Sequence, residues 1–246
     1  MVRGNLRTML NDDAVMWSLV SDISQSMQIA FASIKAATSS LLGGDIFWDA
    51  ATQHEFMQTV DNSVDDLSDL TAVMTMAMRS QNGTLALRLE PNSLQEILSR
   101  AKDEAQKHAR RAVIELTLPA ETRLARVDFE CLLMGLRLLV EVLISTRENQ
   151  SAPLSIQLQE DAEGWQILFH GGISGFAADI VNWMCTKAPE GAFFPAALRA
   201  ETKLKALTAT KLLALHAIRM TSSADDGSAS AGEVALALHV PIDTGG

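Results

Sequence analysis

Residues 126–144 read RVDFECLLMGLRLLVEVLI. Asp128 suits the position before a helix, because its side-chain oxygen can accept a backbone N–H of the first turn. The residues that follow are apolar nearly all round: Phe129, Leu132, Leu133, Leu136, Leu139, Val140, Leu143 and Ile144. A helix without a wet face is a buried one. This stretch therefore predicts the central helix of a layered domain.

Working upstream, Val113, Ile114, Leu116 and Leu118 predict a strand ended by Pro119. Ser93 and Glu96 have capping-box spacing, which predicts a helix from there to about His108. Thr84 to Glu90 alternates, with Leu85, Leu87 and Leu89 on one face, and predicts a strand ended by Pro91. Downstream, Leu154-Ile156-Leu158 and Trp165-Ile167-Phe169 predict a hairpin joined through Asp161 to Gly164. Residues 171–200 are irregular, with a short helix expected over Phe176 to Met184. Thr202 to Met220 reads as helix, and Ser222 to Gly232 as a Ser/Gly/Asp-rich loop. Val234, Leu236, Leu238 and Val240 read as the last strand. This order fits helices on one face of a mixed sheet, an α/β sandwich over residues 83–246.

Residues 1–82 read differently. From Asp12 to Leu42 there is no Pro or Gly, and Met16, Val20, Ile23, Met27, Ala30, Ile34, Ala37 and Leu41 follow a heptad spacing. That is the seam of a coiled coil or bundle. Gly43 and Gly44 stop the helix. A second helix starts near Asp49 to Thr52 and runs to about Arg79, with Phe56, Val60, Val64, Leu67, Leu70 and Met74 as its apolar stripe. Asp61, Asp65, Asp66 and Asp69 mark its wet face, and Asn82-Gly83 ends it. Each helix would be about 40 to 45 Å long at 1.5 Å per residue. One antiparallel hairpin cannot cover both sides of such stripes, whereas two hairpins in a four-helix bundle can. A homodimer through residues 12–79 is expected; the alternative is a hairpin packed on its own C-terminal domain. The fold class is α+β, a helical hairpin followed by a sandwich.

Composition narrows the partners. The net charge of −10 opposes a phosphate backbone, so no nucleic-acid partner is expected. Cys131 and Cys185 lie far apart and near no His cluster, so neither a disulfide framework nor a metal site is expected. No apolar run reaches the roughly 20 residues of a membrane helix, and Asn11, Asp12 and Asp13 interrupt any signal peptide. These features predict a cytoplasmic chain. Its first helix begins soon after Met1, which is compatible with a whole chain or with the C-terminal part of a longer one.

The element order and several local stretches resemble the dimerisation and ATPase-like core of bacterial sensor histidine kinases. Residues 23–35, ISQSMQIAFASIK, are similar to the family's phosphoacceptor segment and share its Ser-Ile-Lys end. The resemblance puts Gln25 at the phosphoacceptor His, Ser26 at the following Glu and Ala30 at the Pro. Leu89-Glu90-Pro91-Asn92-Ser93-Leu94 resembles the family's strand-to-helix junction, and Val127-Asp128 its entry to the Asn-bearing helix. By the same resemblance, Leu138 and Val142 stand where Asn side chains hold Mg²⁺ and face the nucleotide phosphates. His170 stands near the Asp that reads adenine, followed by a turn with Gly171, Gly172 and Gly175. Leu204 to Ala209 replaces the later Gly-rich turn, and Gly232 to Pro241 resembles the closing strand.

Leu and Val cannot ligate a hard cation, which requires oxygen. A Gln amide is not the nucleophile that a neutral imidazole is. The resemblance thus implies a catalytically degenerate relative, a pseudokinase of a two-component pathway acting as a dimeric scaffold or regulator, with no cofactor. Its partner would be a receiver domain or a sensor kinase. The alternatives are an active, divergent kinase using ATP and Mg²⁺, or a histidine phosphotransfer protein.

Individual residues carry two readings each. His54-Glu55 is the only His-Glu pair; His54 is either an exposed first-turn His or a phosphoacceptor. His170 and the adjacent glycines form either a connecting loop or a ligand-lining turn. Lys35 is either solvated or a receiver contact. His216 and Cys131 read as core.

Overall fold

The structure is a computed structural model that describes residues 2–43, 48–109, 111–121, 124–147, 153–161, 164–171, 175–186, 198–222 and 236–241. The chain divides into two compact units, Met1–Met78 and Arg79–Gly246. No helix among the described residues is long and apolar enough to cross a membrane.

The first unit is built on two long helices, α1 (Val2–Leu42) and α2, which spans Ala50–Gln81 and so runs past the unit's end. α1 starts well before Asp12, because residues 2–11 hold no Pro to interrupt it. It stops at Gly43, whose N–H still reaches the Ser39 carbonyl at 3.0 Å. The connection is tied to both helices through Trp48. Its indole N–H donates to the Ser40 carbonyl at 2.9 Å, and its ring meets Phe56 edge-on at 5.3 Å. Asp49 caps α2: its Oδ1 accepts the Thr52 N–H at 2.7 Å. That bond and the Thr52 side chain hold the Asp49 carboxyl below its ordinary range.

The heptad reading is partly visible in burial. Ile23 and Ala37 on α1, and Leu70, Val73 and Ala77 on α2, are buried. Met27, Ala30, Ile34, Leu41, Phe56, Val60, Leu67 and Met74 are only half-buried. Met57, Val64 and Met78 are exposed, at spacings of seven and fourteen residues along α2.

The second unit is a sandwich. Five strands order as β2-β4-β5-β7-β6: β2 (Ile114–Thr117), β4 (Leu154–Asp161), β5 (Gly164–His170), β7 (Leu236–Pro241) and β6 (Arg219–Ser222). The β2–β4 pair is parallel and the others are antiparallel, so the sheet is mixed as expected. A two-stranded sheet pairs β1 (Glu90–Ser93) with β3 (Leu124–Val127). The helices are α3 (Leu94–His108), α4 (Phe129–Ser145), α5 (Gly175–Cys185) and α6 (Ala200–Leu215). α4 packs against both α3 and α6. Along β5, Trp165, Ile167 and Phe169 are buried while Gln166 and Leu168 are half-buried and His170 is exposed. The period of two thus gives the sheet one core face and one open face.

Both expected caps form. Ser93 accepts the Glu96 N–H at 3.3 Å at the start of α3, and Asp128 accepts the Cys131 N–H at 3.0 Å at the start of α4.

Three expectations need correction. Thr84 to Leu89 is not a strand; the strand β1 begins at Glu90 and contains Pro91. The Arg88 N–H goes to a side chain, Asp128 Oδ2 at 2.8 Å, instead of to a neighbouring strand. Pro91 is tolerated because β1 pairs on one edge. Arg126-Val127 is not a mere lead-in but belongs to β3. The helix read over Thr202 to Met220 ends at Leu215 and gives way to β6. Its stop is Ala217 in the left-handed region, φ 57°. The Ile218 N–H returns to the Leu213 carbonyl at 3.1 Å and the Ala217 N–H to the Ala214 carbonyl at 3.0 Å, a Schellman ending made without Gly. Gly172, Val234 and most of the Ser222 to Gly232 loop lie outside the described residues.

Candidate functional site

The place that sequence reasoning assigns to a nucleotide lies beside α4. The apolar run after Asp128 makes this helix the centre of the helical layer, and its capped start fixes the rotation of the side chains that follow. Leu138 and Val142, four residues apart on that helix, are both fully buried at 0% exposure. Their surroundings are close-packed on the α6 side. A Cβ added to Gly135 would lie 3.2 Å from Leu212 Cβ, so the missing side chain lets α4 and α6 approach closely. Leu204, Ala206, Thr208 and Ala209, which the resemblance sets against the family's Gly-rich turn, are buried within α6, and the Thr208 hydroxyl is spent on the Leu204 carbonyl at 2.8 Å.

Charge in this layer is gathered on one carboxylate. Glu141 on α4 is 7% exposed. Its Oε2 lies 2.9 Å from Lys205 Nζ on α6, and its Oε1 lies 3.3 Å from Arg137 Nη1 and 3.4 Å from His108 Nδ1 on α3. Lys205 also meets Glu201 at 2.8 Å, and Arg137 approaches Glu104 at 3.9 Å. Burial pushes the Lys205 ammonium down, but Glu141 and Glu201 outweigh it and hold its pKa above the ordinary value. The result is a chain of alternating charges across α3, α4 and α6. Its cations are directed at protein carboxylates. Sequence reasoning missed it. The Arg137/Glu141 pair is legible as i,i+4 spacing, but His108 and Lys205 meet it only through the fold.

His170 falls on the open face of the sheet, at the end of β5 opposite Ser155. Leu138 and Val142 are buried in the helical layer. The structure does not bring His170 together with them. Gly171 sits close to the preceding chain: a Cβ there would lie 3.3 Å from the Pro153 carbonyl oxygen. Gly172 lies outside the described residues.

On the helical unit, Gln25, Lys35, His54 and Glu55 are all exposed. Gln25 is on α1 and His54 is in the second turn of α2.

His216 and Cys131 are buried. Burial, then the adjacent Asp128 charge, push the Cys131 thiol up to about 12, so it is not a thiolate nucleophile. His216 accepts the Asp128 N–H at Nε2 (3.2 Å) and lies 2.7 Å from the Leu212 carbonyl at Nδ1. An acceptor at Nε2 and a carbonyl at Nδ1 together select the neutral Nδ1–H tautomer. Among the described residues no cluster of His, Cys, Asp and Glu is arranged to hold a metal ion.

No protein-family model matches the sequence, and no curated protein matches it. Solved structures do match its shape. Histidine kinase AdeS of Acinetobacter baumannii is 13% identical, with a TM-score of 0.59 over 89% of this chain and 98% of that one. Full-length ShkA in complex with AMPPNP is 14% identical, with a TM-score of 0.54 over 90% of this chain and 45% of ShkA. A bacterial phosphotransferase is 10% identical, with a TM-score of 0.50 over 91% and 95%. The chain has the fold of a histidine-kinase dimerisation and ATPase-like core.

Proposed function

We propose that this chain is a histidine-kinase-like signalling protein of a two-component pathway that performs no ATP chemistry and acts as a dimeric, cytoplasmic scaffold or regulator. The observation that carries this reading is the pair Leu138 and Val142, fully buried and without an oxygen at the positions where the family resemblance requires Mg²⁺- and phosphate-facing Asn. The residues present do not fit a Mg²⁺-nucleotide complex. The dimer reading draws on the half-buried seam and on the exposed line Met57, Val64 and Met78, which a second hairpin would cover. A receiver domain or sensor kinase is the partner that this fold class suggests.

Calorimetry with ATP and ADP in Mg²⁺ tests the reading. No binding to the folded protein is expected. Binding tighter than about 100 µM, roughly −5.5 kcal/mol, would overturn it and put a divergent kinase first.

A second reading, phosphotransfer, is favoured by the exposure of His54 and Glu55 and by the likeness to a bacterial phosphotransferase. It needs no nucleotide site, only a phosphorylated donor. A label transferred from a donor protein, stable in alkali, lost in acid and abolished in His54→Ala, would establish it. Absence of transfer would leave the scaffold.

A further inference from the structure

Thr84 to Leu89 joins α2 to β1 and alternates like a strand without being one. What it has in place of a ladder is a side-chain acceptor: the Arg88 N–H donates to Asp128 Oδ2 at 2.8 Å, across 40 residues of sequence. The other oxygen of the same carboxylate, Oδ1, accepts the Cys131 N–H and caps α4. The main chain of Asp128 is held as well, because its N–H donates to His216 Nε2 while His216 Nδ1 is anchored on the Leu212 carbonyl at the end of α6. Downstream, the Asn92 amide donates to the Val127 carbonyl at 2.9 Å, which pins the start of β1 onto β3. Asp128 is thus the point where the connecting segment, the start of α4 and the end of α6 converge.

We infer that Asp128 is a latch for the segment leading from the helical hairpin into the sandwich, with His216 as the positioning residue that keeps the latch in register. The two carboxylate oxygens divide the work. Oδ1 serves α4 whether or not the segment is attached, and Oδ2 alone holds Arg88. The Arg88 bond is in a solvent-exposed setting, so it can open without exposing core, in the low-stability range from which moving elements are drawn. Of the charged groups nearby, Arg79 at the end of α2 and Glu130 on α4 act on the adjacent Cys131 thiol, and Arg88 reaches Asp128 through its backbone N–H. When the Oδ2 bond opens, the segment is free to change course while the sandwich keeps its caps and core.

Amide hydrogen exchange on the full chain tests this. Asp128→Ser keeps one cap oxygen for the Cys131 N–H, since Ser and Asp cap about equally well, but has no second oxygen for Arg88. The Arg88 amide should exchange roughly tenfold faster or more in this variant, as expected for loss of a bond to a charged acceptor, while the amides of Cys131 and Leu132 keep their protection. His216→Leu should raise exchange at Asp128 and Arg88 together, and His216→Gln, which can offer an acceptor, should restore both. Unchanged Arg88 protection in Asp128→Ser would overturn the latch. So would α4 amides exchanging in step with Arg88, because Asp128 would then be only a cap. If the Ser variant does not fold, the unmodified protein decides: the Arg88 amide proton shift must follow the Asp128 carboxyl titration, and a flat shift overturns the proposal.

Discussion

Leu138→Asn places at position 138 the residue type that the histidine-kinase resemblance expects there, and it asks whether that position is core or site. The Leu138 side chain is 0% exposed. Losing the burial of a Leu costs about 2 kcal/mol. An amide buried without partners adds about 1 to 3 kcal/mol, and Asn is the poorer helix former by a few tenths. The sum is roughly 3 to 5 kcal/mol, against about 5 to 15 kcal/mol for a typical native protein. At about 2 to 4 °C per kcal/mol for a chain of this size, the melting temperature should fall by roughly 6 to 20 °C. Thermal and urea unfolding followed by circular dichroism measure this, and added Mg²⁺-ATP should not restore the loss, because a ligand stabilises only a state that binds it. A fall below about 2 °C would refute the reasoning. It would mean that the amide is hydrated, and hence that an opening exists beside α4 where close packing is claimed. Recovery of the melting temperature by Mg²⁺-ATP would refute it in a second way, by showing that one side chain separates this sandwich from a nucleotide site.

Ala217→Gly relieves a left-handed alanine at the end of α6, and should stabilise by about 0.5 to 1 kcal/mol in urea titration after the added freedom of the unfolded chain is subtracted. Glu141→Ala leaves Lys205 and Arg137 without their shared carboxylate, and should destabilise by roughly 3 to 5 kcal/mol, as breaking a buried pair does; a change under about 1 kcal/mol in the same titration would show that Glu201 and Glu104 take over fully. Acidification should release Asp128: burial raises its carboxyl, but the N–H groups of Arg88 and Cys131 outweigh it and hold the pKa below the ordinary value. A depressed folded pKa contributes stability that is complete above the unfolded value near 3.9 and lost as pH falls through the folded one, so stability in Asp128→Asn should depend less steeply on pH below about 4 than in the unmodified protein. The raised Lys205 pKa has the opposite sign: its contribution is complete below the unfolded value near 10.4 and drains away as pH rises through the folded one, and in Lys205→Met that alkaline loss should shrink.

Local signals in the sequence were read well where the structure is itself local. The Ser93 and Asp128 caps, the β4–β5 hairpin and the largely apolar α4 depend on neighbours within a few residues, and each formed as expected. The elements that were misread depend on distant partners. Thr84 to Leu89 has strand alternation, but a strand needs an adjacent chain, and what reaches Arg88 is a carboxylate. β3 and β6 are four residues each and carry Arg126 and Arg219, so their periodicity is too short to separate from a helix edge. The end of α6 is marked by Ala217, which gives no glycine or proline signal. At the candidate site, the absence of a side-chain oxygen at 138 and 142 is visible in the residues themselves, whereas the convergence of His108, Arg137 and Lys205 on Glu141 exists only once three helices are packed.

On the scaffold reading, the same packing bears on how such a chain would stay folded without a nucleotide. A sandwich that binds a polar ligand beside its central helix keeps polar groups there and draws stability from the ligand. Here Leu138 and Val142 place hydrocarbon at that level, Gly135 lets α6 approach closely, and Glu141 takes up the Lys205 and Arg137 charges that would otherwise call for an external anion. Each of these substitutes an internal partner for an external one. On the scaffold reading, the sandwich would then be rigid by itself, and any response to a partner would be concentrated where internal partners are few: the half-buried seam of the hairpin and the segment held at Arg88 by one carboxylate oxygen. That distribution makes a specific demand. Partner binding at residues 12–79 should change amide exchange over 84–89 while leaving α4 and α6 unaltered; if α4 responds as strongly as the segment does, the sandwich is not the rigid element and the latch does not carry the response.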